Sequence, residues 1–273
     1  MCIEADSIKN EERQKRLREK IARFRLFDDD FMTKVFEKDN KLTEFLLSII
    51  LQRTDLEVID SNTQVVQKSL TGRSVKLDIK AKDKTGKLYN IEIQREDKGA
   101  DEKRARYHSA ILDTNTLLPR QDFKDLPETY VIFITEHDIF KCGFPLYHIN
   151  RKIEENGMTF YDMSHIIYVN GEYKGNDAIG DLMHDFLCAN PDDMKYKLLA
   201  EKTGRFKKTD KGARHMCKIM EELVEEERAI QAEEFAMNLL EDGTLSISKI
   251  AAVSKLPESK VRELAAKLQP VAQ

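Results

Sequence analysis

Two short alternating segments joined by a tight turn, Val75 to Gln94, constrain this chain more than any other stretch. In the first, Val75, Leu77, Ile79 and Ala81 alternate with Lys76, Asp78, Lys80 and Lys82; in the second, Ile91 and Ile93 alternate with Asn90, Glu92 and Gln94. Successive side chains of a strand point to opposite faces, so each strand acquires an apolar and a polar face. Lys84-Thr85-Gly86 suits a three-residue hairpin loop, a type I turn followed by Gly86 in the left-handed region. That loop pairs Asp83 with Lys87. Counting back sets Lys80 opposite Asn90, Asp78 opposite Glu92 and Lys76 opposite Gln94.

Directly opposed residues have Cβ atoms roughly 5 Å apart. Two carboxylates at that separation repel unless a cation lies between them. Oxygen-only ligation suits Mg²⁺ or Mn²⁺, which keep positions for water and for substrate phosphate. Such an ion lowers the pKa of bound water and neutralises charge on a reacting phosphate. Alternation alone favours a plainer explanation, a solvated sheet face with cross-strand salt bridges.

The rest of the chain reads as one main α/β domain with an appendage, which 273 residues can supply. Lys9 to Arg25 is a solvated helical segment, broken at Asp28-Asp29-Asp30. Phe31 to Phe36 and Leu42 to Leu51 carry helical apolar spacing, with Asn40 a candidate N-cap. Strands are expected at Leu56 to Ile59 and Thr63 to Gln67, then in the hairpin. Gly99-Ala100-Asp101 opens a helix through Arg104, Tyr107, Ile111 and Leu112. Tyr130 to Thr135 is almost wholly apolar and so reads as a central strand covered on both faces. Pro145 to Arg151 and Ser164 to Val169 complete the sheet. After Asp177 the chain is helical, with a long helix from Gly212 ending at Gly243 and two short helices broken at Leu256-Pro257. The boundaries expected are residues 1–30, an N-terminal helical extension; 31–205, the core; and 206–273, a C-terminal helical region.

Hydrophobic residues make up 41% and charged residues 34%, which excludes wholesale disorder. No apolar run approaches the ~18 residues that span a bilayer, and the first twenty residues are charged, so a cytoplasmic protein with no membrane partner is expected. Cys2, Cys142, Cys188 and Cys217 are scattered without a CxxC pair, against a zinc cluster or a disulfide framework. A formal charge of −4 excludes a polycation, so contact with nucleic acid must be local. His184 and Cys188 stand four apart on a helix without a second ligand pair, which favours packing over metal binding. Residues 247–264 read either as a helix-turn-helix, with Lys249, Lys255, Lys260 and Arg262 for phosphate, or as a plain helical hairpin. Glu221 to Glu227 is a solvated face or a dimer contact.

The order Leu77-Asp78, Glu92-Ile93-Gln94, then a helix with Arg104, Arg106 and Tyr107, resembles the PD-(D/E)XK nuclease superfamily. More narrowly the chain is similar to the recombination-promoting nuclease/putative transposase family. The strings that carry this are Phe31-Met-Thr-Lys-Val-Phe36, Gly72-Arg-Ser-Val-Lys-Leu-Asp78, Tyr89-Asn-Ile-Glu-Ile-Gln94, Lys103-Arg-Ala-Arg-Tyr107 and Leu126-Pro-Glu-Thr-Tyr-Val-Ile-Phe-Ile-Thr135. The resemblance implies a restriction-endonuclease-like α/β fold, a mixed central sheet flanked by helices, with a C-terminal helical appendage. It implies Asp78 and Glu92 as metal ligands, with the carbonyl of Ile93 as a third.

Gln94 stands where the superfamily usually has lysine, and glutamine supplies no cation. The expected register offers Lys80 first, and Lys76 second, as a replacement. An acid from the early helix often completes such sites, and Glu44 is the candidate. Arg73, Lys76, Arg104, Arg106 and Tyr107 are candidates for gripping DNA phosphates, although Arg104 and Arg106 do not share a helical face. The expected activity is Mg²⁺- or Mn²⁺-dependent endonucleolytic cleavage of DNA, serving recombination, transposition or defence against foreign DNA. The competing reading is a DNA-binding or regulatory protein on a nuclease-like scaffold. The expected partners are DNA and, through the C-terminal helices, a second copy.

Overall fold

Side-chain alternation, capped helix starts and one Gly-bearing turn build the sheet that positions every candidate group. The computed structural model describes residues 15–68, 73–95 and 99–268. Two compact units emerge, Glu19–Thr209 in one and Met1–Arg18 with Asp210–Gln273 in the other. The sheet unit thus starts at residue 19 rather than 31, because Ile21, Leu26 and Phe27 bury their side chains almost completely. The expected solvated segment is therefore amphipathic at its end.

In the sheet unit, helices α1 (Asp29–Phe36) and α2 (Asn40–Ile50) precede strands β1 (Val58–Gln67), β2 (Val75–Asp83) and β3 (Leu88–Gln94). Then come α3 (Glu102–Thr114), β4 (Thr129–Thr135), β5 (Leu146–Ile149), β6 (Ser164–Asn170), α4 (Ala178–Leu187) and α5 (Lys197–Lys208). The strand order is β1-β2-β3-β4-β6-β5. Strands β1 to β3 run antiparallel, β3, β4 and β6 run parallel, and β5 returns antiparallel to β6. Within β4, Val131 to Ile134 are wholly buried, as an interior strand with both faces covered requires.

Caps follow the acids. Asp39, rather than the expected Asn40, caps α2 by accepting from the Leu42 N–H, and Asn40 donates instead to the Ile59 carbonyl. Asp101 caps α3 through the Arg104 N–H, and Asp177 caps α4 through that of Gly180.

The hairpin register is fixed at Asp83. Gly86 has φ of +90° and donates to the Asp83 carbonyl, while the Asp83 N–H donates to the Lys87 carbonyl. The Asp83 carboxylate, 1% exposed, accepts from the Thr85 N–H, the Thr85 hydroxyl, the Lys87 N–H and the Tyr89 hydroxyl. The expected pairing follows, with Lys80 opposite Asn90 and Ile79 opposite Ile91.

The second unit carries α6 (Asp210–Asp242), α7 (Ile247–Ser254) and α8 (Glu258–Leu268). Gly243, at φ +68°, ends α6, and Ala236, Ile250, Ala251, Val261 and Leu264 form an apolar cluster. Lys260 pairs with Glu233 and Glu263, and Arg262 with Glu258, which gives this segment the character of an ion-paired helical hairpin. The side chains of residues 222–227, the expected solvated face or dimer contact, lie outside the described residues. No described helix is long and apolar enough to cross a membrane.

Candidate active site

The two hairpin acids meet where β2 and β3 part. Asn90 and Glu92 face α3, for the Asn90 amide lies 3.1 Å from His108 Nδ1 and the Arg104 guanidinium reaches Glu92 Oε2 at 3.1 Å. By alternation Ile91, and Ile79 opposite it, lie on the other face. Leu77 nevertheless packs on the α3 side with Ala105, Val131 and Phe133. The alternation expected from Val75 to Lys82 is thus interrupted between Leu77 and Ile79, and Asp78 is the residue at the interruption. In β1 the residue across from it, Gln64, has φ of +55°, outside strand geometry. The β2–β3 ladder extends no further than Ile79 and Ile91 in this direction.

Beyond that point the Asp78 side chain takes the place of the missing strand pair. The Ile93 N–H donates to Asp78 Oδ2 at 2.9 Å, and the Asp78 N–H points at Glu92 Oε1 at 3.4 Å. The Gln94 carbonyl accepts from the Glu136 N–H on the β4 side. By alternation the Ile93 carbonyl points the other way, into the cleft that holds Asp78. Two carboxylates and one backbone carbonyl therefore share a narrow opening.

Their electrostatics are strained. Glu92 is fully buried. Burial, followed by the charge of Glu92, pushes the Asp78 carboxyl up to about 8, against the pull of the Ile93 N–H and Arg104. Asp29 at the start of α1 adds to the upward push. Gln64 ties Asp29 in place, its Nε2 donating to Asp29 Oδ1 and to the Thr33 hydroxyl, both at 2.9 Å. Asp29, an acid of the first described helix after residue 28, thus lines the same cavity as Asp78.

Glu44, the expected contributor, accepts instead from the Val58 N–H at 2.9 Å. Val58 begins β1, six residues before Gln64, which at ~3.3 Å per residue is roughly 20 Å along the strand. Helical phase on α2 does not reveal this, because it leaves open which end of β1 the helix meets.

A cavity of about 680 Å³ opens over Asp78, lined by Phe24, Asp28, Asp29, Asp30, Ile93 and Gln94 among others. Lys207 holds its rim: the ammonium donates to the carbonyls of Ala22, Phe24 and Ala189 and sits 5.0 Å above the Phe31 ring. A neighbouring groove of about 740 Å³ is lined by Arg73, Lys76, Lys103, Arg104, Tyr107 and His108. The Tyr107 hydroxyl donates to the Arg73 carbonyl and so braces α3 against the entry to β2. Residues 69–72, including the Gly72 of the sequence motif, lie outside the described residues.

The remaining candidates divide. Arg104 sits in the site. Arg106 is exposed on a different face of α3, as helical geometry requires. Lys80 is half-buried opposite Asn90; burial lowers its pKa and Asp60 raises it, so its acidic neighbour is on β1. Lys76 is exposed in the basic groove and does not face Gln94, since the ladder ends before that pair. Gln94 Oε1 accepts from Arg104 Nη1 at 3.3 Å. Asp29 is not among the residues singled out from the sequence, where the Asp28-Asp29-Asp30 run is visible only as a break between helices; Lys103 stands in the motif string without an assigned role.

The donor set suits a hard divalent cation: carboxylate oxygens from Asp78 and Glu92 and the Ile93 carbonyl. Among the described residues no group of three or more His, Cys, Asp or Glu side chains forms a metal cluster. Two carboxylates are what a Mg²⁺-type site needs, with water and phosphate completing the shell.

No curated protein and no solved structure is matched by the chain. The family model for PD-(D/E)XK nuclease family transposases matches residues 30–173, just over half the chain, and that span includes both acids and the basic groove. The six-stranded mixed sheet is the restriction-endonuclease-like α/β arrangement of that family. With its sheet, its acids and its order of motifs all falling inside the matched span, the chain belongs to the PD-(D/E)XK nuclease family transposases.

Proposed function

We propose that this protein is a Mg²⁺- or Mn²⁺-dependent endonuclease that hydrolyses phosphodiester bonds in DNA. The observation that carries the reading is the Asp78–Glu92 pair at the parting of β2 and β3, where burial and mutual repulsion raise Asp78 to about 8. A buried acid pair of this kind stabilises a bound cation more than it stabilises itself.

Asp78, Glu92 and the Ile93 carbonyl would hold the metal, with Asp29 adding negative charge at the rim. A divalent ion bound there supplies an acidified water and charge neutralisation at the phosphate. Arg73, Lys76 and Lys103 take backbone phosphates along the groove and set the register of the strand without reading sequence. The Ile93 N–H fixes the Asp78 carboxylate, and α3 covers Glu92 from bulk water. In the cell this activity would act on DNA in the cytosol during recombination or transposition, or against foreign DNA.

One observation favours a second reading. Arg104 already sits on Glu92 Oε2 at 3.1 Å, so the acid pair has a counter-ion without any metal. A DNA-binding or regulatory protein on this scaffold would need no more.

Plasmid nicking separates the two. Chelated protein is given Mg²⁺, Mn²⁺ or Ca²⁺ beside Asp78→Asn and Glu92→Gln. Cutting that needs Mg²⁺ or Mn²⁺ and vanishes in both variants supports the nuclease; DNA binding with no cutting under any metal supports the scaffold.

A further inference from the structure

Gln94 leaves the acid pair without the cation that a lysine at that place would bring, and Arg104 fills the gap from α3. Its Nη2 lies 3.1 Å from Glu92 Oε2, its Nη1 3.3 Å from Gln94 Oε1 and 2.7 Å from the Gly99 carbonyl, and its Nε 3.3 Å from His108 Nε2. The guanidinium carbon stands 5.9 Å from the centre of the Phe133 ring. Each edge of the planar group is thus engaged, and its direction is set before any substrate arrives. The side chain still keeps 34% of its surface exposed. It lines both the acidic cavity and the basic groove, so a DNA strand lying in the groove reaches the acids past this guanidinium.

Gly99 makes the arrangement sterically feasible. A Cβ built there would stand 1.8 Å from Gln94 Oε1 and 3.1 Å from Arg104 Nη1. The Gln94 amide lies in the notch left by the missing side chain and presents its oxygen to the guanidinium. A lysine at 94 would place an ammonium against Arg104 instead, and like charges at this range repel. The two residues therefore form one unit: an acceptor at 94 goes with a cation at 104.

The geometry points to Arg104 as the catalytic cation at the scissile phosphate, with Gln94 as the positioning residue that aims it; this rests on the nuclease reading above. The bonds remain those of hydrolysis, water oxygen joining phosphorus as the P–O ester bond breaks, and Arg104 neutralises charge that gathers on the phosphate oxygens. Gln94 accordingly acts through Arg104 rather than on water.

The test uses the full chain and a charge relocation. Plasmid nicking at saturating Mn²⁺ is measured for wild type, Arg104→Gln, Arg104→Lys and the double variant Arg104→Gln/Gln94→Lys. Mn²⁺ binding is measured directly by calorimetry without DNA, and circular dichroism checks folding. The expected result is a loss of about 100-fold or more in Arg104→Gln, with Mn²⁺ bound as tightly as in wild type or tighter, since Glu92 is freed from its ion pair. Arg104→Lys retains part of the rate. Moving the cation to position 94 in the double variant recovers about tenfold or more over Arg104→Gln, an effect that a purely structural role for Arg104 would not produce.

Arg104→Gln cutting within about threefold of wild type, a loss explained wholly by weaker Mn²⁺ binding, or a double variant no faster than Arg104→Gln would each overturn the proposal. These outcomes leave the nuclease reading intact. A wild-type chain that binds Mn²⁺ and DNA and never cuts overturns that reading and the inference together.

Discussion

Asp78 Oδ2 accepts the Ile93 N–H at 2.9 Å, so a side chain occupies the place where the backbone of β2 would otherwise pair with β3. The same carboxyl carries a structural and an electrostatic load. Its folded pKa, about 8, stands well above the ordinary aspartate value of 3.8. Between those two values the folded state holds a proton that the unfolded state has released. Without metal, stability should therefore fall as pH rises from about 4 to about 8 and level off above that. Asp78→Asn removes the titration and keeps an acceptor for Ile93. Denaturant unfolding in chelator should show the variant more stable than wild type at pH 8, by on the order of a few kcal/mol, with the difference closing towards pH 4. Curves that stay parallel across the range would mean that Asp78 does not titrate there.

Metal binding inverts that slope. A cation entering the cleft must displace the Asp78 proton, so affinity should climb by up to about tenfold for each pH unit below 8 and then plateau. Calorimetry with Mn²⁺ in two buffers of different ionisation enthalpy should count about one proton released at pH 7. Binding that is flat between pH 6 and pH 8 would contradict the assignment of Asp78 as a ligand.

Asp83 holds the turn that sets this register, and four donors converge on its buried carboxylate. Burial works to raise its pKa, yet the hydrogen bonds from Thr85, Tyr89 and Lys87 outweigh it and leave the group below the usual aspartate value. Its contribution is therefore present above the unfolded pKa and is lost as pH falls through the lowered one. Asp83→Ala strands four donors and should cost about 3 kcal/mol in urea unfolding. Gly86→Ala, at φ +90°, should cost about 1 kcal/mol through backbone strain alone.

Much of this hairpin was legible in the sequence because its determinants are local. A Gly-bearing loop fixes the pairing, and period-two alternation identifies the strands, so Lys80 stands opposite Asn90 as counted. The interruption at Asp78 was not legible, since Leu77 and Ile79 look alike in a pattern of apolar and polar residues and only packing against Phe133 separates their faces. Tertiary geometry also separates Glu44 from Asp29. Both are early-helix acids, but only Asp29 is held at the Asp78 end of β1, by Gln64 in its unusual conformation. Arg104 was visible as a phosphate-binding candidate, whereas its three-way contact with Glu92, Gln94 and Gly99 joins residues that no local sequence pattern links.

Glu44 and Lys80 test that division directly. Glu44→Gln should leave metal-dependent nicking within about twofold of wild type and lower stability by about 1 kcal/mol, the worth of one charged acceptor for the Val58 N–H. Lys80→Met should leave nicking similarly unchanged, because its acidic neighbour is Asp60 rather than either acid of the site. A large fall in rate at saturating metal for either variant, with normal melting, would return that residue to the site.

The basic groove makes a prediction of a different kind, since its cations position DNA without reading it. Arg73, Lys76 and Lys103 are all exposed along one groove, where each can neutralise about one phosphate and release its condensed counterion. Arg73→Ala, Lys76→Ala and Lys103→Ala should each weaken binding of unrelated duplexes to the same extent. Each should also reduce the slope of log affinity against log salt by about one. Binding should be measured in Ca²⁺ so that affinity is read apart from cutting. If one substitution instead altered preference among sequences while leaving the salt slope unchanged, that side chain would be touching a base edge, and the bases rather than the phosphates would face that wall of the groove.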